Sequence, residues 1–151
     1  MLGSRWLIAC SLVMMLAGAL KASEVKETVR ITVTGEGLPQ ALLLDRPDLL
    51  ALSNVFSGRF IGPPSIAPDG RRIEYRLAFD IQTLDGVKRD AYVLLYVQGT
   101  GQADGYIYLP GRADPDYPGN ASTILRNGID GTWRSASPAW AAALNQVLPR
   151  E

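Results

Sequence analysis

The sequence predicts an α+β domain: a mainly antiparallel sheet of about four to six strands, a short helix after the second strand, and a C-terminal helix packed on the sheet. Three observations carry this. Apolar and polar residues alternate from Arg71 to Gln98 on both sides of an Asp85-Gly86 turn, shorter period-two runs flank that stretch, and the chain ends on an i, i+4, i+7, i+8 apolar stripe. With 47% apolar and 20% charged residues over 151 positions, the chain can bury one core, and its composition excludes a disordered, collagenous or coiled-coil protein.

In order along the chain, Val29, Ile31 and Val33 alternate with Arg30 and Thr32 to give a first strand, which Gly35-Glu36-Gly37 ends. Gln40 to Leu44 is a second apolar run. Asp45-Arg46-Pro47 supplies a capping-type residue and a proline suited to a first helical turn, so a short helix is expected through Leu52. Ser53 to Asp69 holds Gly58, Gly62, Pro63, Pro64 and Pro68 and reads as irregular connection anchored by Phe56, Phe60 and Ile61. In the central hairpin a three-residue loop, Leu84-Asp85-Gly86, sets Phe79 near Ala91, Leu77 near Val93 and Tyr75 near Leu95. That register gives one wholly apolar face and is preferred over the two-residue loop that would set Phe79 opposite Tyr92. Gly105 to Pro110 and Ile129 to Arg134 are further strands. Ser137-Pro138 opens the last helix, and Trp140, Leu144, Val147 and Leu148 form its apolar stripe.

The first residues read as an address. Arg5 precedes the apolar run Trp6 to Leu20, which is shorter than the roughly 20 residues a spanning helix needs, and Lys21, Glu24, Lys26 and Glu27 follow abruptly. Residues 1–19 are therefore expected to be a signal peptide cut after Ala19, with Ala22 the later option, leaving residues 20–151 as one globular domain. Cys10 lies inside the apolar run, where a lipidated cysteine would end it, and is expected to leave with the signal. The expected location is secreted or periplasmic. Anchoring by an uncleaved N-terminal segment is the alternative, and the one route by which a membrane would be a partner.

Composition narrows the chemistry. Lys and Arg number 15 against 15 Asp and Glu, so no net field steers the chain toward nucleic acid, and none is expected as a partner. The chain has no histidine and one cysteine, which removes imidazole-based triads, most metal sites and internal disulfides. No catalytic residue, metal or cofactor is expected.

The best candidate surface is the outer face of the hairpin, where the preferred register gathers Arg72, Glu74, Arg76 and Asp80 beside Tyr92, Leu94 and Tyr96, with Tyr106 or Tyr108 adjoining. Arg72, Glu74, Arg76, Tyr92 and Tyr96 form the predicted ligand-binding set, since aromatic rings flanked by arginine suit sugars, peptides or anions. The same pattern also describes a solvated face with cross-strand charge pairs. Asp114, Asp116 and Asn120 are spaced somewhat like a calcium loop, but Leu125 stands where a bidentate glutamate belongs, and Pro115 and Pro118 read as a plain surface turn. Asn120-Ala121-Ser122 matches a glycosylation triplet. Gly99 to Gly105 is glycine-rich, but it joins two strands with no helix and no Lys-Ser or Lys-Thr after it, so it is read as a flexible connection and not a phosphate cradle. Glu36 and Glu74 offer no spacing that would pair them for glycoside hydrolysis.

Ile31-Thr32-Val33-Thr34-Gly35-Glu36-Gly37-Leu38, then Asp45-Arg46-Pro47-Asp48-Leu49-Leu50, and finally Asp130-Gly131-Thr132-Trp133 with Ser137-Pro138, together resemble a group of small exported bacterial proteins of unknown function. The resemblance spans nearly all of the mature chain and departs from the group's pattern at Glu36, where a proline is usual. It implies an envelope or extracellular setting and carries over no catalytic residue. The function expected from the sequence is a non-catalytic binding or accessory module of the cell envelope, with an envelope protein, a peptide or a glycan as partner. A secreted hydrolase using carboxylates and a membrane-tethered structural protein are the alternatives.

Overall fold

Residues 26–124 and 128–149 are described by the computed structural model; the export segment expected at residues 1–19, with Cys10, and the expected calcium-loop position Leu125 lie outside them. The strands are β1 (Glu27–Gly35), β2 (Leu42–Leu44), β3 (Ile61–Pro64), β4 (Glu74–Thr83), β5 (Gly86–Gln98), β6 (Gly105–Leu109) and β7 (Thr132–Ala136), and the helices are α1 (Pro47–Leu52), α2 (Tyr117–Ile124) and α3 (Pro138–Asn145). All pairings are antiparallel in one sheet of order β2-β1-β4-β5-β6-β7-β3.

Among the described residues the fold is mostly antiparallel sheet with short helices, in keeping with an α+β class, but with seven strands where four to six were expected and with helices at three places instead of two. The additional strand is β3, which lies in the stretch expected to be irregular. It runs along β7 at the sheet edge, the position where Pro63 and Pro64 are tolerated because no further neighbour needs their N–H groups. The additional helix is α2. Pro118 falls in its first turn, where a proline costs no intrahelical hydrogen bond, so the proline read as a turn signal is compatible with a helix start. The strand expected at Ile129 begins three residues later, after Gly131 turns with φ 70° and donates its N–H to Leu109 O.

The hairpin register departs from the expected one. Phe79 lies opposite Tyr92, Leu77 opposite Leu94 and Tyr75 opposite Tyr96, not Ala91, Val93 and Leu95. Two local devices produce this. Thr83 and Gly86 close a two-residue turn of Leu84 and Asp85, with Gly86 at φ 117°, a conformation that favours glycine. Between that turn and Phe79 the ladder slips: β5 bulges at Asp90, which takes φ 45° and donates its N–H to Oδ1 of the buried Asp80. The expectation failed because it assumed one buried and one solvated face. Val93 and Val97 on the second face are buried as deeply as Leu94 and Tyr96 on the first, so the apolar pattern could not choose between registers.

One face packs against α1 and α3. Ile31, Val33, Leu77, Phe79, Leu94, Ile107 and Leu109 from the strands meet Leu49 of α1 and Trp140, Ala141 and Leu144 of α3. Aromatic rings run through this core in contact: Tyr92 with Phe79, Phe79 with Phe60, Phe60 with Trp140, and Trp140 edge-on to Tyr96, at centroid separations of 5.0 to 5.8 Å. The Trp140 indole N–H donates to Ser53 Oγ, and Ser53 Oγ donates to Leu49 O, which ties α3 to the end of α1. Ser137 caps α3 and Pro138 opens it, as the sequence predicts.

Candidate functional site

The register decides which predicted site residues meet. Tyr92 and Tyr96 point into the core, with exposures of 3% and 0%. Burial pushes both phenols well above their ordinary value, and the Tyr96 hydroxyl donates to Asn145 Oδ1 at 2.8 Å. They are separated by the thickness of the sheet from Glu74 and Arg76, which stand on the opposite face. Arg72 precedes β4 and lies in a cleft beside the β5–β6 loop. The five residues grouped from sequence are thus divided among the core, the outer face and this cleft.

The outer face is built from two cross-strand rows. Thr34, Arg76, Leu95, Tyr108 and Trp133 stand opposite one another across β1, β4, β5, β6 and β7; the neighbouring row is Glu74, Val97, Tyr106 and Ser135. Tyr106, Tyr108 and Trp133 are half-buried, and the Tyr108 and Trp133 rings pack at 5.2 Å between centroids. Tyr108 donates its hydroxyl to Asp114 Oδ2, which also accepts from the Gly111 N–H; burial first, then this carboxylate, hold the phenol above its ordinary value. Arg76 forms a two-pronged pair with Asp116, at 3.0 Å from Nε and 2.7 Å from Nη2, and that bond favours its charged form. Tyr106 and Tyr108 therefore share the outer face with the arginine, with Leu95 of β5 standing between Arg76 and Tyr108, and Trp133 completes the strip. The sequence reading missed Trp133, although it had already placed that residue in a strand.

The acidic loop is structural at each position. Asp114 holds Tyr108 and Gly111, Asp116 holds Arg76, and the buried Asn120 accepts from the Val93 N–H at 2.8 Å and donates to Val93 O. Among the described residues no group of three or more His, Cys, Asp or Glu is placed to hold a metal ion. Of the two glutamates weighed for glycoside hydrolysis, Glu36 pairs with Arg71 and Glu74 stands exposed on the outer face; Asp80 holds the Asp90 N–H. No described helix is long and apolar enough to cross a membrane.

The cleft is lined by Arg72, Gln98, Gly99, Thr100, Gly101, Gln102 and Asn145 and has a volume of about 360 Å³. Its loop is held closed by Gly99 N–H to Asp104 O and Asp104 N–H to Gly101 O, while Asn145 Nδ2 donates to both Gln102 O and Asp104 O. The stretch read as a flexible connection is fixed to α3 at Gln102 and Asp104 through Asn145, which Tyr96 holds in turn. No protein-family profile, curated protein or solved structure matches this chain.

Proposed function

We propose that this protein is an exported, non-catalytic binding module of the cell envelope, and that its outer sheet face holds a glycan. The observation that carries this reading is the strip of half-buried rings, Tyr106, Tyr108 and Trp133, mounted on adjacent strands of the same sheet face that bears the Arg76–Asp116 pair across β5. A sugar ring offers an apolar C–H face and a hydroxylated rim. Flat aromatic side chains suit the first, and planar charged groups at the edge of the strip suit the second. The rings stand on paired strands and Tyr108 is pinned by Asp114, so little ordering entropy is left to lose on binding. Export rests on the signal-like profile of residues 1–19 and on the resemblance to small exported bacterial proteins.

Binding of the purified chain to envelope glycans, read by co-sedimentation with the insoluble polymers, tests the first part. Trp133→Ala and Tyr106→Ala are expected to weaken retention about ten-fold each, as loss of stacking contacts worth roughly 1 to 1.5 kcal/mol requires, while the buried Tyr92→Phe leaves it unchanged. Retention indifferent to Trp133 and Tyr106 overturns the glycan face. Fractionation with N-terminal sequencing tests the second part: chains beginning at residue 20 or 23 outside the cytosol support export, and full-length chains in the cytosol overturn it.

A further inference from the structure

We infer that the cleft at the end of β5 and β6 is a second binding site, and that it takes a small hydroxylated carboxylate the size of a sugar acid. It shares no lining residue with the aromatic strip and stands without it. A volume of about 360 Å³ is within the range of small-molecule sites. The lining is chemically selective: one guanidinium, three neutral carboxamides from Gln98, Gln102 and Asn145, the Thr100 hydroxyl and glycine backbone, with no acidic side chain among them.

The Arg72 guanidinium spends one donor, Nε, on Asp69 O at 3.2 Å and forms no ion pair with a described carboxylate. Its remaining fork of N–H donors fits a carboxylate in two-pronged geometry. Carboxamides donate and accept at once, which suits hydroxyl groups that do the same.

The wall of the cleft is preformed. At Gly99 a Cβ would run into Asp104 Cβ and come within 2.9 Å of the Asp104 carbonyl carbon, so glycine there lets the loop fold back tightly on Asp104; at Gly101 a Cβ would meet only the Asp104 carboxylate, which can swing aside. The closed loop is then bolted to α3 by the two Asn145 bonds, with Tyr96 fixing the Asn145 oxygen. Inorganic phosphate meets the same Arg72 fork but brings no polyol to Thr100, Gln98 and Gln102. The carboxylate is assigned to Arg72 and the hydroxyls to Thr100 and the carboxamides of Gln98 and Gln102, because Asn145 spends both N–H donors on the loop and its oxygen on Tyr96.

Calorimetric titration of the full chain with glucuronate, galacturonate, glucose and inorganic phosphate tests this. One or both uronates are expected to saturate at millimolar concentration or below, with glucose and phosphate weaker by about ten-fold or more. Arg72→Gln should weaken the uronate by about ten-fold or more, and Arg72→Lys by less. Arg72 is a surface residue, so the fold survives these changes; matching thermal transitions establish that, and Arg112→Gln elsewhere on the surface serves as the unaffected variant. The assignment is overturned if neither uronate saturates by about 10 mM, if glucose or phosphate binds as well, or if Arg72→Gln binds like the parent. Failure of the aromatic-strip variants leaves this result untouched, so the two sites are judged separately.

Discussion

Asn120 takes over where a strand stops. Strand β6 ends at Leu109 and Pro110 has no N–H to give, so the β5 backbone at Val93 would lack a partner; the Asn120 carboxamide supplies both an acceptor and a donor in the manner of a peptide group. Asn120→Asp keeps the size and removes the donor, leaving Val93 O unsatisfied beside a buried carboxylate. It is expected to lower unfolding free energy by about 1 to 3 kcal/mol in urea titration, and an unchanged midpoint would refute that role. Asn120 Nδ2, the nitrogen a sugar would need, is buried and donates to Val93 O, so the glycosylation triplet is closed in the folded chain. The sequence made Asn120 legible only as a triplet or a calcium-loop position, because its real partner is fixed by where another strand ends. Arg76, Tyr106 and Tyr108 were legible as neighbours on one face because residue type and strand period suffice to place them there. Tyr92 and Tyr96 were assigned to the wrong face because a one-residue slip exchanges the two sides of a strand.

For the β4–β5 hairpin, both strands and the turn region were plain in the alternation, and the pairing was not. What sets the pairing is a bulge whose signature is a pair of aspartates, Asp80 and Asp90, each of which also reads as an ordinary solvent-face residue. Asp90 sits at φ 45°, a region that aspartate tolerates and β-branched residues avoid. Asp90→Val should therefore destabilise the protein by about 1 to 2 kcal/mol, whereas Asp90→Gly should stay within about 0.5 kcal/mol of the parent, both read from thermal unfolding. Equal effects from the two would show that the bulge conformation carries no strain. Elements with a cap or a sustained period, such as α3, β1 and β6, were readable. Those defined by their neighbours, such as β3 along β7 and α2 beside β5, were not.

Across the whole molecule, the buried phenols link folding to alkaline pH. Tyr92 and Tyr96 have folded-state values raised above the ordinary value near 10 by burial, so their neutral forms support the fold fully below that pH. Above it the unfolded chain releases those protons first, and stability falls by up to about 1.4 kcal/mol per pH unit for each phenol until the folded state ionises too. Denaturant midpoints measured from pH 8 to 11.5 should stay level to about pH 10 and then drop, with Tyr92→Phe showing a shallower fall; a parent curve that stays level above pH 10 would disprove the linkage. The rims of the sheet have a different consequence. One is β2, three residues long, and the other is β3, which carries Pro63 and Pro64. Neither rim offers a neighbouring copy a rail along which to extend the ladder, so molecules crowded together can lie side by side without knitting into fibres.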